Sequence, residues 1–203
     1  MDVPERLTER IDRFRADLPT MSALAVVQRH ITQGECYALD EHQHISLKTE
    51  IAQEFQIHPN EVVVVGSGKL GFSIVPTKRY RPLCDESDID VAIVSPTLFD
   101  ELWRLAFDYR LATGVTWDNG QRFADYLFRG WIRPDMLPPG QEFIRREHWF
   151  EFFRRLSSSA AFGRYRVNGG LYRSWYFLEA YQAAGVVKCQ QEMRGADEDD
   201  LIG

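Results

Sequence analysis

The chain has 203 residues, 44% of them hydrophobic and 13% aromatic, which suffices for one domain with a sizeable core. Its formal net charge of −6 excludes a dedicated nucleic-acid coat protein, while a local basic groove remains compatible with it. No apolar run approaches the ~20 residues of a membrane span, and the charged N-terminus lacks the apolar core of a signal peptide, so a cytoplasmic protein with no membrane partner is expected.

Leu7, Ile11, Phe14 and Leu18 recur at helical spacing and predict a first helix over 4–18, with Pro4 in its first turn. A short second helix is expected over 24–31, then a polar loop over 32–44. Leu47, Ile51 and Phe55 mark the next helix, with Ser46 as its N-cap, and His58-Pro59-Asn60 ends it. Val62–Val65 is short, β-branched and bounded by turn residues, as a buried strand is. Asp88–Val94 reads as a second strand. Ser95-Pro96 then caps a helix carrying Leu98, Leu102, Leu105, Tyr109 and Ala112 on one stripe, broken over 114–117. Residues 121–128 read as helical, and WIRPDMLPPG over 131–140 as an irregular loop because it holds three prolines. An aromatic-rich helix is expected over 142–156 and a small-residue joint over 157–161. Residues 165–172 form a third strand interrupted by Gly169-Gly170. A last helix covers 175–188.

These elements predict an α/β protein with a short mixed sheet flanked by helices. Residues 1–45 are expected to form an N-terminal helical extension. Residues 46–193 form the main domain with its C-terminal helices, and 194–203 an acidic disordered tail. Cys36, Cys84 and Cys189 are odd in number and unpatterned, which favours reduced thiols over disulfides or a zinc site. His42 and His44 beside Asp40 and Glu41 fit surface polarity better than a metal site.

The chemistry concentrates in one stretch. An apolar strand ends in Gly66-Ser67, and Asp88-Ile89-Asp90 opens the next strand. Alternation on a strand puts both aspartates on one face, with Cα atoms roughly 7 Å apart. Two carboxylates so close repel unless a cation lies between them, and oxygen-only donors suit Mg²⁺ or Mn²⁺. A glycine at a strand end lets backbone amides approach a triphosphate, and the Ser67 hydroxyl can bond a phosphate oxygen. Lys69, Lys78, Arg79 and Arg81 are candidate phosphate cations, Lys69 first among them.

Two look-alikes fall away. Residues 66–71 match G-x-G-x-x-G, but Pro76 and Pro82 bar the long helix a dinucleotide fold needs, and the acids stand at the wrong end of their strand. A P-loop would need glycine at position 63 and Ser or Thr at position 70, where the chain has Val63 and Leu70.

On Val62–Val65, Gly66, Ser67, Asp88 and Asp90, the region resembles the nucleotidyltransferase superfamily of DNA polymerase beta. The resemblance spans residues 47–112 and the order of elements beyond. It implies a nucleotidyltransferase-like fold, Mg²⁺ on Asp88 and Asp90, Gly66, Ser67 and Lys69 toward the nucleotide, and transfer of a nucleoside monophosphate from an NTP, ATP first, to a protein, RNA or small-molecule acceptor. Many active members carry a third carboxylate on a later strand. Here that strand offers Asn168, while Asp118, Asp125 and Asp135 lie in less regular segments. An inactive nucleotide-binding or protein-interaction module on the same fold is the alternative, motivated by the aromatics over 142–177. Seven arginines from Arg145 to Arg173 admit an RNA-facing groove.

Overall fold

The computed structural model describes residues 5–114, 117–138 and 144–200. Four strands form one mixed sheet in the order β1-β2-β4-β3. β1 (Val62–Val65) pairs antiparallel with β2 (Asp88–Val94). β2 pairs parallel with β4 (Arg166–Tyr172), and β3 (Trp131–Ile132) closes the far edge antiparallel to β4. Eight α-helices surround it among the described residues. None of them is long and apolar enough to cross a membrane.

Strand alternation divides the apolar residues between two cores. Val62, Val64, Ile89, Val91 and Ile93 face one side. There they meet α3 (Glu41–Phe55), α5 (Pro96–Thr113), α6 (Gly120–Phe128) and α7 (Ile144–Ser158) through Leu47, Ile51, Phe99, Leu102, Phe123, Trp149 and Phe152. Val63, Val65, Ala92 and Val94 face the other. Leu7 and Phe14 of α1 (Glu5–Asp17), Val26 and Val27 of α2 (Ala23–Val27), and Leu178 and Val186 of α8 (Trp175–Asp200) cover them. Residues of the N-terminal helices thus belong to one of the sheet's two cores.

Several boundaries differ from expectation. α3 begins at Glu41 because Asp40 caps it: the Asp40 side chain accepts from Gln43 N, and the Gln43 side chain accepts from Asp40 N. That reciprocal capping box satisfies two orphan amides and outcompetes Ser46, which instead bonds Glu50 inside the helix. Trp131 and Ile132 pair as a strand inside the proline-rich segment before Pro134 stops it. Gly169 and Gly170 lie within β4, each in register with a β2 residue. α8 continues to Asp200, well past Lys188 and into the segment expected to be disordered. Gln190 anchors it by donating to the carbonyls of Leu18 and Met21, and Glu192 anchors it by binding Arg79. The expected start of the aromatic helix, at 142 and 143, lies outside the described residues.

Candidate active site

Because β1 and β2 run antiparallel, the end of one lies beside the start of the other. Val65, the last residue of β1, is the register partner of Asp90. Gly66 follows at φ +64 and turns the chain into α4 (Gly66–Leu70). A Cβ at position 66 would stand 3.1 Å from Asp90 Oδ2. Glycine is therefore required both for the sign of φ and for the close approach to the carboxylate. α4 is short because Gly71, at φ +89, ends it, with its N–H donating to the Ser67 carbonyl at 2.8 Å.

Ile89 is fully buried between the two aspartates, so Asp88 and Asp90 project together on the opposite face. Asp90 has its carboxyl pushed up to about 6, first by desolvation and then by the charge of Asp88. Asp90 is nonetheless exposed. Asp88 Oδ1 accepts from Arg166 Nε of the neighbouring strand at 3.1 Å. Tyr172 and Tyr181 are held above the ordinary phenol range, first by burial, and the charge of Asp90 adds to both.

Asn168 is the register partner of Asp90 on β4. Two of the other candidate acids are engaged with neighbours of their own. Asp135 binds Arg133 at 2.9 Å, and Asp125 accepts from Gln121. Among the described residues, no three of His, Cys, Asp and Glu converge.

The chain matches no protein-family model, no curated protein and no solved structure.

The predicted residues separate into two groups. Gly66, Ser67, Asp88 and Asp90 come together at the β1–β2 end. Ser67 is half-buried and its hydroxyl has no partner among the described residues. Lys69 goes elsewhere: its ammonium is buried and donates to the Gly34 carbonyl at 2.5 Å. Arg79 is spent on Glu192 and on the carbonyl of Ile74, while Lys78 and Arg81 are exposed in the connecting loop. Arg166, Tyr172 and Tyr181 border the aspartates and carry no motif that marks them in the sequence. Arg166 is detectable in principle, since it alternates with Asn168 on the predicted third strand, but its partner depends on the parallel register.

The donor set fits a divalent cation of the hard, oxygen-preferring kind. Two carboxylates share one face, and Asp90 is raised first by desolvation and then by the charge of Asp88. Mg²⁺ or Mn²⁺ held by Asp88 and Asp90 would remove that repulsion, with remaining positions left for phosphate oxygens and water.

Five of the C-terminal arginines lie beside acidic side chains. Arg154, Arg155, Arg164, Arg166 and Arg173 each face a carboxylate, of Glu151, Glu54, Asp85, Asp88 and Asp100 respectively.

Proposed function

We propose that this chain is a divalent-metal-dependent nucleotidyltransferase of the polymerase-beta type, its sheet a short version of that fold. Asp88 and Asp90 hold Mg²⁺ or Mn²⁺, and the Gly66–Ser67 turn receives the triphosphate of an NTP, ATP first. The observation that carries the reading is the pairing of Val65 with Asp90. It sets a positive-φ glycine against one carboxylate of an alternating acidic pair, where an added Cβ would crowd Asp90 Oδ2 at 3.1 Å. When bound, the cation neutralises charge on the phosphate oxygens. In the transfer, an acceptor oxygen forms a bond to the α-phosphorus, the bond to the β-phosphate bridging oxygen breaks, pyrophosphate leaves, and the acceptor proton passes to solvent. The acceptor is a protein, an RNA or a small molecule.

The test incubates the chain with each labelled NTP, Mg²⁺ or Mn²⁺, and cell lysate. Label transfer and pyrophosphate release are expected, both falling at least about a hundredfold in Asp88→Asn and Asp90→Asn, whose fold should persist. Wild-type protein that releases no pyrophosphate with any NTP would remove the reading.

A second reading, a catalytically silent nucleotide-binding or protein-interaction module, is favoured by three observations. Asn168 stands where an acid would face Asp90. Arg166 already occupies one oxygen of Asp88. Trp103, Phe107 and Leu111, spaced by one helical turn on α5, are all exposed. Magnesium-dependent NTP binding with no turnover would select it, and Asn168→Asp would then be the variant to assay for gained pyrophosphate release.

A further inference from the structure

Apart from the aspartate pair, two cavities lined by described residues gather several basic side chains. The first, about 360 Å³, is lined by Arg10, Arg29 and His30 among others. Its charges are largely spent within the protein. Arg10 donates to the carbonyls of Glu35, Lys69 and Leu70, and Arg29 and His30 both bind Asp17.

The second cavity is different. It encloses about 290 Å³ along the outer edge of β1, which is an edge strand of the sheet. Lys48, Lys69 and His44 line it, together with Gly34, Asn60 and Trp175, and no carboxylate among the described residues does. Lys69 is only 3% exposed. An ammonium has three N–H donors, and Lys69 uses one, on Gly34; the others have no acceptor among the described residues. Burial holds this ammonium down at about 8. Of the titratable groups acting on it, Cys36, Arg10, Lys48 and Glu35, Glu35 is the carboxylate; it acts least and is itself paired with Arg6, while Cys36 is a buried thiol pushed up by burial.

Lys48 and His44 sit one turn apart on α3, so both reach the same side. Burial lowers both, and Lys48 and Lys69 lower His44 further. Neither side chain has a hydrogen-bond or ion-pair partner among the described residues. Two ammonium groups drawn out of water without a counter-charge are costly, and an entering anion offsets that cost and favours the protonated imidazole. Trp175, 41% exposed, adds a flat apolar face to the same cavity, and this volume is at the small end of ligand sites.

We propose that this cavity is a second anion site, separate from Asp88 and Asp90, that takes a small organic phosphate bearing a planar ring, of the size of a nucleoside monophosphate. The phosphate lies among Lys48, Lys69 and His44, and the ring stacks on Trp175. No divalent metal is needed. The site therefore stands or falls independently of the transferase reading.

Isothermal titration of the full chain in EDTA, with AMP, adenosine and inorganic phosphate in separate arms, tests it. AMP is expected to bind, adenosine at least about tenfold more weakly, and phosphate to compete. Lys48→Gln or His44→Gln should weaken AMP about tenfold or more, and Trp175→Ala should weaken AMP while sparing phosphate. Asp90→Asn should bind AMP as wild type does. Lys69→Met removes a buried group, so it is read beside Lys48→Gln and His44→Gln, both at partly exposed positions. Failure of AMP to bind at millimolar concentration, full retention of affinity in Lys48→Gln, or loss of affinity in Asp90→Asn would each overturn the proposal.

Discussion

Asp90 carries a charge that costs the folded protein something and that, in the proposed transferase, would hold the metal. Its carboxyl is raised from 3.8 to about 6. Between those values the folded chain binds more protons than the unfolded one, so stability falls as pH rises through that window. Asp90→Asn should therefore be slightly more stable than wild type at pH 7, by less than about 1 kcal/mol because the side chain reaches solvent, with the gain gone below pH 4. Mg²⁺ should raise the Tm of wild type and not of Asp90→Asn. Since the ligand must be deprotonated, metal affinity should drop about tenfold from pH 7 to pH 5. Thermal melts at pH 4 and 7, with and without Mg²⁺, check all of this; a strong destabilisation of Asp90→Asn at pH 7 would mark Asp90 as structural. Gly66→Ala separates strain from site. It should cost about 1–2 kcal/mol from the positive φ and also displace Asp90 Oδ2, abolishing the Mg²⁺-dependent Tm rise. Gly114 has nearly the same φ, +63, and a Cβ there would meet nothing within 4 Å, so Gly114→Ala should show the backbone cost alone and keep the metal response.

At the scale of elements, what can be read from the chain is local. Val62–Val65 and Asp88–Val94 emerge at their observed bounds because each combines β-branched residues with turn residues at its ends. β3 does not, since two residues between Gly130 and Pro134 carry no periodicity and exist as a strand only through pairing with Tyr172 and Leu171. The glycines of β4 mislead for a related reason. Alone they argue against a strand, yet in place they admit aromatic rings. A Cβ at Gly169 would lie 2.2 Å from Phe153, and one at Gly170 would lie 2.7 Å from the Trp131 indole nitrogen. Gly169→Ala should thus destabilise by about 2–3 kcal/mol through overpacking, measured by urea denaturation. Phe153→Leu in the same chain should recover part of the loss, because it removes the ring that clashes. An unchanged stability in Gly169→Ala would mean that α7 can shift away from β4. The aspartate pair is legible for the same local reason as its strand, whereas Arg166 and Asn168 reach it through the parallel β2–β4 register, which no short-range pattern specifies.

At the scale of the whole molecule, the periodicity of α1 announces an apolar stripe but not the surface that receives it. Leu7 and Phe14 join the core on the sheet face carrying Val63, Val65, Ala92 and Val94, the same face from which Asp88 and Asp90 project. The N-terminal helices thus bear on the candidate site by covering the strands that position it. Phe14 shows how firmly: it is 0% exposed, and its ring meets Phe72 and His30 edge-on at 5.4 and 5.3 Å. Phe14→Ala should cost about 3–5 kcal/mol, the range for deleting a buried ring. If α1 and α2 belong to the same cooperative unit as the sheet, that loss should move one transition, with far-ultraviolet and near-ultraviolet circular dichroism still coincident. Trp117 and Trp149 belong to the opposite core and Trp131 to the core of Phe14, so the near-ultraviolet signal samples both faces. A separable N-terminal unit would instead melt early in far-ultraviolet signal alone, leaving the tryptophans of the opposite core unchanged. Mg²⁺ distinguishes the outcomes again: in a single cooperative unit, binding at Asp88 and Asp90 should raise the midpoint seen by both probes, the N-terminal helices included.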